Sequence, residues 1–333
     1  LETPYYILHW DSNGHFTRLF DKEHQREVLK GKGNVLQVFE DKPKDYDAWD
    51  IDIFYQEKMV EIQLESSDLT ANNSLFAELT FNGKIGESQL TQKVRFYRHS
   101  RRIDFITDVD WRERQRLLKV AFDVDVRAIE ATYDIQYGNV KRPNHWNTSW
   151  DMAKFETVGH QWADLSERNY GVSLLNDCKY GYDIKGTVLR LSLLKGGIYP
   201  DPTADIGQHA FTYSLLPHDG DFLVGKTIQE AWEINEPLTL LKREECLLPK
   251  LGIEISGGVT IDAFKKAENS EGWILRLHDY SGGRSSVKLI LDRPVDWCYT
   301  NLMERNESEW ATASAGKLQL DIHPYEVVTL RLQ

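Results

Sequence analysis

The sequence predicts an all-β protein, with a large antiparallel β-sandwich over residues 1–245 followed by a small β-sandwich over residues 246–333. Three observations carry this. Apolar and polar residues alternate with a period of two through one segment after another, the pattern of strands with one face buried. Clusters of Gly, Pro, Asn and Asp cut the chain into short runs, as antiparallel sheet requires. A helical pattern is confined to Thr227–Glu233, which is two turns at most. No period of roughly 20–50 residues recurs, so propellers and solenoids are set aside.

In chain order, PYYILHW and HFTRLF flank Asp11-Ser12-Asn13-Gly14, a strong local hairpin signal. VLQVFED is the next strand. WDIDIFY (49–55) is predicted as a strand with Trp49, Ile51, Ile53 and Tyr55 on one side and Asp50 and Asp52 on the other. The period of two continues through MVEIQLE (59–65), LFAELTF (75–81), the strand around Val94 and Phe96, RRIDFITDVDW, LKVAFDVDV and AIEATYDIQY. GTVLRLSLL and HAFTYSLLPH are strands on either side of KGGIYPDPTADIG, where three glycines and two prolines forbid a regular element. Residues 238–252 mix charge and proline and read as a connector. VTIDAF, WILRLHDY, SSVKLIL, VDWCYTNL, KLQLDI and VVTLRL then give six strands for the small sandwich.

A net charge of −12, from 52 acidic residues against 40 Lys and Arg, argues against nucleic acid, whose phosphates require a concentrated basic face. No run approaches the roughly 18 apolar residues of a membrane helix, and LETPYYILHW lacks a signal pattern, so no membrane partner is expected. Cys178, Cys246 and Cys298 show no paired spacing, which suits a reducing cytoplasm. The leading Leu1 suggests a piece of something longer.

The densest chemistry lies between Asn144 and Tyr182. Trp146, Trp150 and Trp162, His145 and His160, and Asp151, Asp164 and Asp177 crowd into loops and short strands there. Aromatic planes beside carboxylates suit a sugar, whose C–H faces stack on rings while its hydroxyls take polar partners. Equally, the tryptophans could be core anchors and the acids turn caps. Asn176 to Tyr182 leaves the apolar strand GVSLL at its end, where a binding loop would sit; a plain turn with Gly181 at positive φ is the competing account. Lys195, His209 and the acids of Asp201 to Asp205 flank the next loop as rim candidates.

Other constellations are weaker. Asp50 and Asp52 could accept sugar hydroxyls, but they are too close in sequence to be placed on opposite sides of a glycosidic bond. His9-Trp10-Asp11 has metal-ligand spacing, yet its Asp opens the hairpin turn and is expected to serve it. No G-x-S-x-G elbow occurs, so a Ser-His-Asp triad has no support.

The segments FEDKPKDYDAWDIDIFY, GHQWADLSERNYGVSLLNDCKYGYDIKG and YPDPTADIGQHAFTYSLLPH, with the tail from Val259 to Leu332, resemble the C-terminal half of glycoside hydrolase family 38 α-mannosidases of the bacterial and cytosolic type. The resemblance runs almost end to end. It implies a galactose-mutarotase-like supersandwich and a small terminal sandwich, packed with N-terminal catalytic and helical domains of the same parent chain. It also implies retaining hydrolysis of α-mannoside oligosaccharides by two aspartates and a zinc ion held in that N-terminal part. This chain begins after that machinery, so no catalytic residue, no metal ligand and no cofactor is expected within it. Trp49, Asp50, Asp52, His160, Trp162, Asp164, Asn176, Asp177, Lys179 and Tyr180 stand in the family's most recognisable segments and are the substrate-binding candidates. A stand-alone carbohydrate-binding module and an aldose 1-epimerase-like enzyme are the alternatives, and a homo-oligomer is left open.

Overall fold

The computed structural model describes residues 1–240, 242, 251–268, 271–291, 293–314 and 316–333. Cys246, the boundary at 245/246 and most of the expected connector at 238–252 lie outside them. The chain divides into two compact units, residues 1–134 with 140–238, and residues 135–139 with 239–333.

The first unit is a sandwich of two large sheets, accompanied by a small three-stranded sheet of Tyr6–Trp10, Phe16–Asp21 and Arg26–Glu27. One sheet has nine strands, running from Gly138–Pro143 at one edge through Glu130–Ile135, Trp162–Ser166, Tyr170–Asn176, Gly207–Asp219, Ile103–Trp111, Ser88–Tyr97 and Phe76–Ile85 to Leu64–Asn72 at the other. The second has six, in the order Thr157–Val158, Gly181–Lys185, Val188–Lys195, Arg116–Asp123, Val35–Glu40 and Met59–Glu61. Alternation decides which side chains meet between them. Phe122 of the six-stranded sheet packs edge-on to Phe105 of the nine-stranded one, 5.4 Å between ring centroids, and Phe105 stacks on Tyr213 at 4.9 Å. The phenol of Tyr213 is not stranded in this apolar layer. It donates to Asn34 Oδ1 (2.7 Å) and accepts from Gln92 Nε2 (2.8 Å), closing a buried polar ring.

The hairpin Tyr6–Trp10 and Phe16–Asp21 forms around the expected turn, with Asp11 Oδ1 accepting from the backbone N–H of Asn13 and His15 at 2.9 and 3.0 Å. Its Asp therefore serves the turn. The helix Thr227–Asn235 stands where the helical pattern marked it and covers the outer side of the nine-stranded sheet. Strands Trp162–Ser166 and Tyr170–Asn176 are accordingly buried on both faces.

WDIDIFY is not a strand. Trp49 and Asp50 both donate their N–H to the carbonyl of Tyr46, which sits at φ 54°, and a 3-10 helix follows over Ile53–Glu57. MVEIQLE likewise breaks after Met59–Glu61, and the chain then crosses to the nine-stranded sheet at Leu64.

In the second unit all six expected strands form. A five-stranded sheet runs Val259–Lys266, Trp273–Asp279, Val327–Leu332, Val295–Thr300 and Ala311–Ala313; a three-stranded sheet runs Leu251–Ser256, Ser285–Leu291 and Lys317–Ile322. Leu275, Leu277, Val287, Leu289, Leu320 and Leu330 fill the space between them. Asp279 is fully buried and organises the adjoining turns: it accepts from Ser281 Oγ, Ser285 Oγ and the N–H groups of Gly282 and Tyr325 at 2.7–3.1 Å. Among the described residues no helix is long and apolar enough to cross a membrane.

Candidate functional site

The stretch from Asn144 to Tyr182 divides between surface and core. In its first part Trp150 is fully displayed to solvent, while Thr148 and Asp151 form a capping box for the short helix Ser149–Met152. Trp146 lies under the ammonium of Lys185, 3.1 Å from its ring centroid. Further on, Trp162 is only 1% exposed; it stacks on Phe222 at 4.9 Å and packs with Leu175, Leu216 and Ala231 beneath the helix.

Asp164 is also buried, and Ser166 Oγ (2.5 Å), Ser173 Oγ (2.9 Å) and His218 Nε2 (2.8 Å) surround its carboxylate. Asn176 donates to Tyr182 Oη and the carbonyl of His160, and accepts from the N–H of Lys179 at 2.6 Å. Asp177 Oδ2 accepts from the N–H of Thr212. Apart from Asp177 Oδ1, which is buried without a partner among the described residues, these polar atoms are engaged in holding the fold. Gly181 begins a strand without positive φ, so the account of a turn with Gly181 at positive φ fails.

The remaining sugar-binding candidates sit nearer the surface. Lys179 lies over Phe211, His160 packs edge-on to Tyr180 at 5.7 Å, and Tyr180 itself is exposed. Trp49 and Asp50 are exposed, whereas Asp52 accepts from the N–H of Lys44 at 2.8 Å. His145 lies 3.8 Å from Asp151, but among the described residues no three His, Cys, Asp or Glu side chains could hold a metal ion.

What the fold assembles instead lies on the outer face of the six-stranded sheet. Strand Arg116–Asp123 sends Leu118, Val120 and Phe122 into the sandwich, so Leu117, Lys119 and Ala121 face outward. The neighbouring strands add Asp183, Arg190, Ser192 and Gln37 to that face. Lys119, wholly buried, contacts Glu156 Oε1, lies 3.0 Å from Tyr55 Oη and 3.6 Å from Asp183 Oδ2. Tyr55 donates to Glu156 Oε1 at 2.5 Å; Arg190 joins Asp183 to Gln37, both at 3.0 Å. Burial pushes the Glu156 carboxyl above its ordinary range against the pull of Lys119, and burial with the adjacent carboxylates pushes the Tyr55 phenol up.

Beside this cluster opens a pocket of about 390 Å3 whose walls include Ile51, Leu117, Val158, Tyr180 and Leu194, with Glu156, Thr157, Ser192 and Lys195 as polar residues. Two cross-chain ties hold the 41–52 loop at its margin, Lys195 to Asp41 and the N–H of Ile198 to Asp47. Glu156, Lys119 and Asp183 were absent from the sequence candidates. The available signal was a single Lys, Asp or Arg set mid-strand in otherwise apolar text, which costs too much to bury without a partner.

The fold defines the class as an all-β region, a β-sandwich with a pocket on one outer face and a second, small β-sandwich. Residues 1–203 match the family described as glycosyl hydrolases family 38 C-terminal domain, and residues 258–330 match its C-terminal beta sandwich domain. The chain belongs to glycosyl hydrolase family 38, as its C-terminal region. It is 36% identical to alpha-mannosidase G of Dictyostelium discoideum over 96% of its own length and 31% of that protein's. With human alpha-mannosidase 2C1 it shares 36% identity over 97% of this chain and 32% of the relative. Among solved structures, a family 38 protein from Enterococcus faecalis superposes with a TM-score of 0.80 at 17% identity, over all of this chain and 44% of that one. The chain thus spans about a third of the length of the curated relatives it matches.

Proposed function

We propose that this chain is the C-terminal β region of a retaining, zinc-dependent α-mannosidase, supporting the catalytic part and lending it one wall of the sugar pocket. The observation that carries this is the 36% identity with named α-mannosidases along nearly the whole chain, while two thirds of each relative has no counterpart in it. The described residues do not fit a zinc site, because their histidines and acids are dispersed or engaged in the fold. On the likeness to longer α-mannosidases, hydrolysis is assigned to the part of the parent that this chain does not cover, with the catalytic and helical domains of that parent as its proposed partners. Trp49, Asp50 and Tyr180, whose side chains stay exposed, are the members of the original set that suit contact with sugar or with those domains. The free Cys178 and Cys298 suit the cytoplasm.

The test is turnover of an aryl α-mannoside by the chain alone and by the chain joined to its upstream sequence, each with and without zinc. Activity is expected only in the joined protein. Zinc-dependent turnover by the chain alone would sink the proposal, as would an inactive joined protein.

A further inference from the structure

We infer that the outer-face pocket of the six-stranded sheet is itself a binding site for a neutral pyranose, with Glu156 and Ser192 taking its hydroxyls and Tyr180 covering its C–H face. Three features of the pocket point there.

The first is free hydrogen-bonding capacity at its floor. Both protein donors to Glu156, Lys119 Nζ and Tyr55 Oη, go to Oε1; Oε2 receives none among the described residues. That free oxygen lies 4.0 Å from where a side chain on Gly181 would begin. On the other side of the same gap, Ser192 Oγ is buried without a hydrogen-bond partner among the described residues. A hydroxyl that donates to Glu156 Oε2 while accepting from Ser192 Oγ would satisfy both, and buried polar groups left unsatisfied are uncommon.

The second is the missing side chain at position 181. A Cβ there would come within 3.0 Å of Ser192 Cβ, although φ at Gly181 is not positive and any residue could adopt it. Backbone conformation therefore does not call for glycine here. Ser192 does, since its Cβ and Oγ would lie 3.0 and 3.2 Å from that Cβ, and the glycine that results leaves the approach to Glu156 Oε2 open.

The third is charge, which selects among ligands. Glu156 and Asp183 face Lys119 and Arg190, two carboxylates against two cations. With Glu156 ionised the cluster is neutral; with Glu156 protonated it is positive, and neither state draws in an amine. An anion is no better served: the ammonium of Lys119 is already shared among Tyr55, Glu156 and Asp183, and that of Lys195 is held by Asp41. A neutral polyhydroxylated ring with an apolar face matches Ile51, Val158 and Tyr180 on the walls, and the volume exceeds the roughly 300 Å3 at which small-ligand pockets begin.

The choice of a mannoside as first probe rests on the function proposed above, whereas the claim on pyranoses rests on the pocket. Methyl α-mannoside, methyl α-glucoside and ethylamine are titrated into the 333-residue chain and followed by ligand-observed NMR. Saturable binding of a glycoside is expected, lost in Gly181→Val and weakened about tenfold in Tyr180→Ala, the scale of one lost contact of about 1.4 kcal/mol. Tyr180 is exposed, so that variant folds even if Gly181→Val does not. Absence of saturable binding by both glycosides overturns the inference, as does binding that Tyr180→Ala leaves unchanged or a preference for ethylamine. Binding of the glucoside alone upholds the pocket while counting against the mannosidase reading, so the two fail separately.

Discussion

A buried ammonium persists only where its charge is answered, and at Lys119 the answer comes from Glu156 and Asp183. Lys119→Met keeps the bulk but leaves Glu156 without its cation; a loss of about 3–5 kcal/mol is expected in urea unfolding. Part of that loss should return in Lys119→Met combined with Glu156→Gln, because the two changes are coupled rather than additive. Asp164→Ala removes the buried carboxylate shared by Ser166, Ser173 and His218 on the helix-covered face of the nine-stranded sheet, although Ser173 keeps Thr227 as a partner, and is expected to cost about 2 kcal/mol by the same measurement, with no change in sugar binding. Were sugar binding to vanish in a folded Asp164→Ala chain, the division between fold and pocket drawn here would be wrong.

Asp21 gives a pH dependence of definite sign. Burial pushes its carboxyl up, but Arg101 and His24 outweigh that and hold it below the ordinary value. Its contribution is thus fully present above the unfolded pKa of about 3.9 and is lost as the pH falls through the lower folded value. Glu156, with a raised folded pKa, has the opposite sign: its contribution is complete below the unfolded value and declines as the pH rises to the folded one. Asp21→Asn should therefore lower stability at neutral pH and flatten the acid limb of the stability curve, as read from denaturation midpoints across that range.

Among elements, the strands of the small sandwich were legible because each is a short apolar-rich run between turn residues, with buried positions recurring every second residue in Ser285–Leu291 and Lys317–Ile322. Asp279, fixing the turns after Trp273–Asp279, was not, since its donors include Tyr325, 46 residues further along the chain. Asp279→Ala is expected to lower the melting temperature of this unit, and an unchanged near-ultraviolet melting profile would argue that its four hydrogen bonds are dispensable.

WDIDIFY shows the opposite failure, a good period of two that makes no strand. Its preceding loop is captured by distant groups: Asp47 by the N–H of Ile198 and Asp41 by Lys195, each from more than 150 residues away. Alternation within a few residues carries no record of such partners. The same blindness hid the pocket, whose lining draws on residues 51, 117, 156, 180 and 192; the sequence showed Trp162, Asp164 and Asn176 as a cluster but not that the helix Thr227–Asn235 would bury their strands from the other side.

At the scale of the molecule, the family was legible from long matching segments, while the location of a usable cavity required the fold. The nine-stranded sheet has one more property that follows from its ends. Leu64–Asn72 closes it with an almost wholly exposed strand, ESSDLTAN after its first residue, whose register slips twice against Phe76–Ile85. At the other end, Gly138–Pro143 carries Lys141 and Arg142 and stops at a proline. Both borders are poor templates for another chain, since charges, bulges and proline all interrupt the continuous ladder that intermolecular sheet growth needs. A sheet this broad would otherwise invite fibrils. Replacing Glu65 and Asp68 together by valine should leave the fold intact yet bring on concentration-dependent light scattering, so what looks like an undistinguished polar strand is a safeguard of colloidal stability.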